Sequence, residues 1–138
     1  MTEQHAPEQV VARLYELFGE GRIEETFALM HPDVVIDEPG DPERLPWAGR
    51  FVGHEGLRRF YTALSESLSE IRIDPSSLTI TSLPSGQVLA LGTEHGVSAA
   101  TGRRYVSRSA WVWTVAHSRI VALDAYHDTA SMVSAMTP

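Results

Sequence analysis

The chain has no cysteine among its 138 residues. That excludes disulfides, thiol nucleophiles and zinc sites built on Cys together. Basic charge is scarce: 11 Lys+Arg stand against 18 Asp+Glu, a formal net charge of −7. Such a balance repels a phosphate backbone and an anionic membrane surface alike. The basic residues include two scattered pairs, Arg58-Arg59 and Arg103-Arg104. Nucleic acid is therefore not an expected partner. No apolar run approaches the ~18 residues of a membrane span; Ala110 to Ala116 is the longest suggestive stretch. The polar start, Met1 to Glu8, has neither the basic end nor the apolar stretch of a signal peptide. No membrane partner and a cytoplasmic location are the expectation.

What is present reads as an ordinary globular chain, 43% hydrophobic and 21% charged. Its length suits one domain over residues 1–138. Pro7 and Glu8 fit a first helical turn, and Val10, Leu14, Leu17 and Phe18 recur at helical spacing. Gly19 and Gly21 stop that helix. A second short helix carries Ile23, Phe27 and Met30 on one face and ends at Pro32. Val34, Val35 and Ile36 read as a strand. Residues 39–50, rich in Pro and Gly, form a long connection of the kind that makes lids or binding loops. A third helix places Leu57, Tyr61, Leu64 and Leu68 on one stripe, with Phe60 beside it. Segments near 71–81, 87–97, 103–116 and 119–127 read as strands in antiparallel succession. The turns between them fall at Pro84-Ser85-Gly86, Ala100-Thr101-Gly102 and His117-Ser118. This order predicts an α+β fold: three N-terminal helices packed on a curved, mostly antiparallel sheet. Such a sheet closed by helices makes a cone, and an unfilled cone is a pocket.

Three stretches carry a family likeness: residues 11–22 (VARLYELFGEGR), 45–60 (LPWAGRFVGHEGLRRF) and 118–129 (SRIVALDAYHDT). They resemble the NTF2-like superfamily, and within it the SnoaL-like, ketosteroid-isomerase-related proteins. The likeness covers nearly the whole chain, and the second stretch is its most specific part. It implies a cone-shaped α+β barrel, frequently dimeric, with an apolar pocket. Enzymes of the family include isomerases, polyketide cyclases and epoxide hydrolases, which work by general acid–base chemistry without a cofactor. Other relatives bind ligands or serve as structural modules, so the fold alone leaves the function open.

Proton transfer needs a carboxylate or His, and a developing oxyanion needs a donor. Asp37 and Glu38 end the first strand beside the long connection, on opposite faces, so only one points inward. Glu38 falls where the isomerases carry their general base. Tyr15 lies at the edge of the first helix's apolar stripe, where its hydroxyl reaches the cone or packs as core. The isomerases carry a protonated Asp where this chain has Ala110. Arg-x-Asp of the epoxide hydrolases reads Arg108-Ser109-Ala110 here, so Arg108 keeps a possible anion- or carbonyl-binding role. On the last strand Val121, Leu123, Ala125 and His127 share the more apolar face, which sets His127 at the cone rim as an acid/base candidate. Asp128 sits where related enzymes place a base but points away by alternation. His31, His54, His95 and His117 lack ligand spacing, so no metal site is expected. Glu94, if buried, needs a partner, and Arg108 is the candidate. Trp47 either closes the pocket mouth or fills the core. Trp111, Trp113 and Tyr105 share one face of their strand. The Trp pair lines either the core or a dimer interface on the outer sheet face, and the interface is preferred because Arg108 and Ala110 are assigned to the pocket face.

Three expectations follow. The first is a cofactor-free acid–base enzyme on a small hydrophobic substrate, with Glu38, Asp37, His127 and Asp128 as proton carriers and Tyr15, Trp47, Phe60 and Arg108 lining the site. The second is a ligand-binding protein without turnover. The third is a structural dimer whose cone is packed shut by Trp47, Phe51 and Phe60.

Overall fold

The computed structural model describes residues 5–138. α1 (Pro7–Gly19) has Pro7 and Glu8 in its first turn and buries Val10, Val11, Leu14, Tyr15 and Leu17 along one side. Gly21 reverses the chain at φ 72°, a conformation that favours glycine. The expected second helix is only a short 3-10 turn, Glu24–Leu29. Met30 already belongs to β1 (Met30–Glu38). Pro32 is tolerated inside β1 because pairing with β7 slips between Met30 and Val35. β2 (Gly49–Val52) returns antiparallel along the end of β1.

α2 (Gly53–Ser67) buries Gly56, Leu57 and Phe60. The expected stripe is shifted: Tyr61 and Leu64 are only partly buried, and Leu68 opens β3 (Leu68–Ile73). The strand expected near 71–81 is broken at Asp74, whose carboxylate accepts from the Ser76 backbone N–H and forms a tight turn. β4 (Thr79–Ser82), β5 (Gln87–Ser98), β6 (Arg104–Ala116) and β7 (Arg119–Tyr126) complete a seven-stranded sheet of order β2-β1-β7-β6-β5-β3, with β4 also on β5. Pairing is antiparallel except between β1 and β7. The turns at residues 84–86, 99–102 and 117–118 fall where the sequence puts them.

The fold is α+β with a curved sheet, but the helices are not all N-terminal. α3 (Thr129–Met136) follows the last strand and buries Met132 and Ala135. The strand signal ends at Tyr126. Asp128 then caps a new helix by accepting from the Ser131 N–H at 3.1 Å, so the C-terminus folds back over β5 and β6.

The faces of β6 are the reverse of the expectation. Tyr105, Ser107, Ser109, Trp111, Trp113 and Val115 point to the core, while Arg104, Val106 and Arg108 are exposed. Alternation defined two faces, and the larger aromatic surface took the inside. Trp111 and Trp113 pack edge-on against Tyr15, at centroid distances of 5.8 and 6.0 Å. Trp47 and Leu45, from the long connection, are fully buried in the same core.

Candidate functional site

The inner face of the sheet is not uniform along its length. Toward the start of β5 and the end of β6 it carries Val88, Ala90, Trp113 and Val115. Toward the other end it turns polar: Glu38, Glu94, Ser98, Ser107 and Ser109 are all buried. Burying so many polar groups is costly unless they satisfy one another. Most do.

Glu38 is the last residue of β1 and is 8% exposed. Its Oε1 accepts from His127 Nε2 at 3.2 Å. His127 follows the end of β7, and its Nδ1 lies 2.6 Å from Ser109 Oγ. The pairing of Trp111 with Ala125 in the β6–β7 ladder, continued by alternation, brings His127 opposite Ser109. Ser109 Oγ lies 3.0 Å from Ser107 Oγ, which in turn accepts the Asp128 N–H at 2.8 Å. The edge of Trp111 packs on the His127 ring at 5.6 Å.

A second pair lies nearby. Tyr105 donates its hydroxyl to Glu94 Oε2 at 2.7 Å. Tyr105 faces Gly96 across the ladder. A Cβ at Gly96 would overlap the Tyr105 ring, so the glycine is what lets the ring lie flat and reach Glu94. The expected partner of Glu94, Arg108, faces the opposite side of the sheet; Tyr105 takes its place.

Burial pushes the Glu94 carboxyl up, against the lowering effects of His127 and the Tyr105 hydrogen bond. Burial alone would lower His127, but the Glu38 hydrogen bond and the charges of Glu38 and Glu94 outweigh it and hold the imidazole above its usual value. Burial also raises the Tyr15 hydroxyl, which accepts from Trp113 Nε1 at 3.0 Å. One oxygen stands apart. Glu38 Oε2 is buried and has no hydrogen-bond partner among the described residues.

The structure thus brings together Glu38 and His127, with Tyr15 and the buried Trp47 and Phe60 in the surrounding core. Phe51 packs on Phe60 at 5.5 Å. It does not bring in the other three candidates. Asp37 lies on the opposite face of β1 from Glu38. Asp128 turns its carboxylate to Ser131, which holds it below the usual carboxylate range. Arg108 is exposed on the outer face of β6 and makes no hydrogen bond to the pair, but it lines, with Asp128, Leu91 and Tyr126, a groove of about 660 Å³ that Ser109 and His127 also line. His54, in the first turn of α2, reaches back to the Met30 carbonyl at 3.0 Å. Sequence reading passed over Ser107 and Ser109. The signal was present, because both continue the Tyr105–Trp111–Trp113 series on one strand face.

Among the described residues no group of three or more His, Asp and Glu is placed to hold a metal ion, and no helix is long and apolar enough to cross a membrane.

Comparison with known proteins gives a consistent picture. The model of the SnoaL-like domain matches residues 11–123. None of the curated proteins matches. Among solved structures, an NTF2-like protein of unknown function from Burkholderia pseudomallei is 23% identical, covers 98% of this chain and 100% of its own, and superposes at a TM-score of 0.84. TerC, co-crystallised with polyporic acid, is 21% identical, with coverage of 94% and 98% and a TM-score of 0.82. A candidate polyketide cyclase from Xanthomonas campestris pv. campestris is 20% identical, with coverage of 96% and 97% and a TM-score of 0.79. At these identities the likeness is one of fold.

Proposed function

We propose that this chain, which belongs to the SnoaL-like domain family, holds a small, mainly hydrophobic molecule in its cone through the Glu38–His127 pair. The observation that carries the reading is Glu38 Oε2, a buried carboxylate oxygen without a donor. Leaving such a group unsatisfied costs about 1–3 kcal/mol. A hydroxyl, enol or amine N–H on a ligand supplies the missing donor. Trp111, packed on His127 at 5.6 Å, and Tyr15, packed on Trp111, are the aromatic groups beside the pair, and Trp47 and Phe60 belong to the same core. The co-crystal partner of TerC, polyporic acid, is a practical first probe. Asp37, Asp128 and Arg108 make no hydrogen bond to the pair and take no part in this reading, although Asp128 and Arg108 line the groove that His127 also lines.

The probe is read by intrinsic fluorescence, because all three Trp residues lie in the core. Saturable quenching is expected, weakened roughly tenfold or more in Glu38→Gln. Binding indifferent to both Glu38→Gln and His127→Ala overturns the reading.

A second reading, turnover of the bound molecule by general acid–base chemistry, is favoured by one feature. Glu38 and His127 share a hydrogen bond and form a proton-carrying pair beside the free oxygen. Exchange of an enolisable proton of a bound ketone into D₂O, lost in Glu38→Gln, tests it.

The same reading includes a homodimer through the outer sheet face. Val106 and Tyr126 are 52% and 59% exposed there. Arg104, Arg108 and Asp124 stand exposed on that face too, so it offers charges of both signs to a second copy. Light scattering on Val106→Asp is expected to show a monomer where the wild type is a dimer; a wild-type monomer refutes it.

A further inference from the structure

We infer that Ser109 is a positioning residue of this site, the hydroxyl that keeps His127 Nε2 turned to Glu38 in both charge states of the imidazole. The inference rests on the Glu38–His127 reading above.

Ser109 is 5% exposed, and its Oγ faces His127 Nδ1 at 2.6 Å. On its far side Ser107 Oγ stands at 3.0 Å. An imidazolium donates from both nitrogens. Nε2–H then bonds Glu38, Nδ1–H bonds Ser109 Oγ, and the Ser109 hydrogen turns to Ser107. A neutral ring that keeps Nε2–H on Glu38 has a bare, accepting Nδ1. The Ser109 hydroxyl rotates about its Cβ–Oγ bond and donates to it. Alanine serves neither state. Ser107 is held for this task by the Asp128 N–H at 2.8 Å, where the chain leaves β7 for α3.

The consequence is specific. The ring gains or loses its Nδ1 proton without breaking the bond to Glu38. Glu38 Oε2 therefore stays free for a ligand in both states. Glu94 on β5 also acts on His127 and favours the charged ring, and Arg108 on β6 lines the same groove as His127. Asp128, next in sequence, is turned away as the cap of α3.

The experiment is an NMR titration of the full chain with ¹⁵N-labelled histidine, following both His127 nitrogens. In the wild type the neutral ring is expected as the Nε2–H tautomer, with Nδ1 showing the shift of a hydrogen-bonded acceptor. Ser109→Ala, which leaves Nδ1 without a partner in either charge state, is expected to mix the tautomers of the neutral ring. Ser109→Thr, which keeps the hydroxyl, is expected to restore the wild-type behaviour. A wild-type neutral ring protonated at Nδ1 overturns the inference without any variant. So does a folded Ser109→Ala protein whose neutral ring keeps the wild-type tautomer and Nδ1 shift. The outcome is separable from the ligand test. Probe binding indifferent to Glu38 alongside the expected tautomer removes the function and leaves the role of Ser109 standing.

Discussion

Asp37 and Glu38 are neighbours in the chain and have opposite fates. Glu38 enters a buried network with His127, Ser109 and Ser107. Asp37 sits on the face that carries Arg104, Arg108, Asp124 and Tyr126. The two faces of the sheet come from the same strands and differ in kind. The inner face couples its buried polar groups to one another, with Glu38 Oε2 left unpartnered among the described residues. The outer face bears charges of both signs and scattered apolar side chains. Inside, where water does not compete, each substitution leaves a cavity or an orphaned group; outside, solvent compensates.

That contrast is open to direct attack, starting with its strongest consequence. Trp113→Ala removes an indole packed on Tyr15 and strands the Tyr15 hydroxyl. A loss of about 3–5 kcal/mol in urea unfolding is expected; a loss under 1 would show that the inner face is loosely packed. Next is Gly96→Ala, which pushes Tyr105 off Glu94. About 1–3 kcal/mol should be lost, together with the tyrosine's ultraviolet signature of a buried hydrogen bond.

The third prediction is a pH dependence. Glu94 and His127 both bind protons more tightly folded than unfolded. Each stabilises the fold below its unfolded value and loses that contribution as pH rises through the folded one. The wild type should therefore lose stability above pH 4.5 through Glu94 and above 6.5 through His127. Glu94→Gln should flatten the first decline by on the order of 1 kcal/mol and also shrink the second, because the Glu94 charge favours the imidazolium. Parallel curves for the two proteins would show that Glu94 titrates normally. The smallest effect belongs outside: Arg108→Ala should shift stability by no more than about 0.5 kcal/mol. A larger loss would mean that the outer groove is organised too.

Much of this was readable beforehand. The three long strands β5, β6 and β7 and their turns follow from alternation and from Pro84, Gly86 and Gly102, whereas the strand read over 71–81 is split at Asp74. The pairing of inward positions on β7, Leu123, Ala125 and His127, followed from the same rule. Val121 left that series because the β6–β7 register slips between Thr114 and Val115. A bulge has no reliable sequence mark. The second helix failed because six residues do not sustain an α-helix against a strand beginning at Met30. α3 went unread because its start depends on Asp128 changing from strand end to cap.

The sequence by itself determined the alternation of each strand, the opposition of Asp37 to Glu38 and the family likeness, because these depend on neighbours in the chain. Tertiary structure decided which face of β6 is inside, since both its faces carry apolar residues and only packing against α1 and the long connection selects the larger aromatics. It also decided the partners. Glu38 and His127 are 89 residues apart, and Ser109 and His127 18. No local pattern marks side chains that meet only when β1, β6 and β7 are laid side by side.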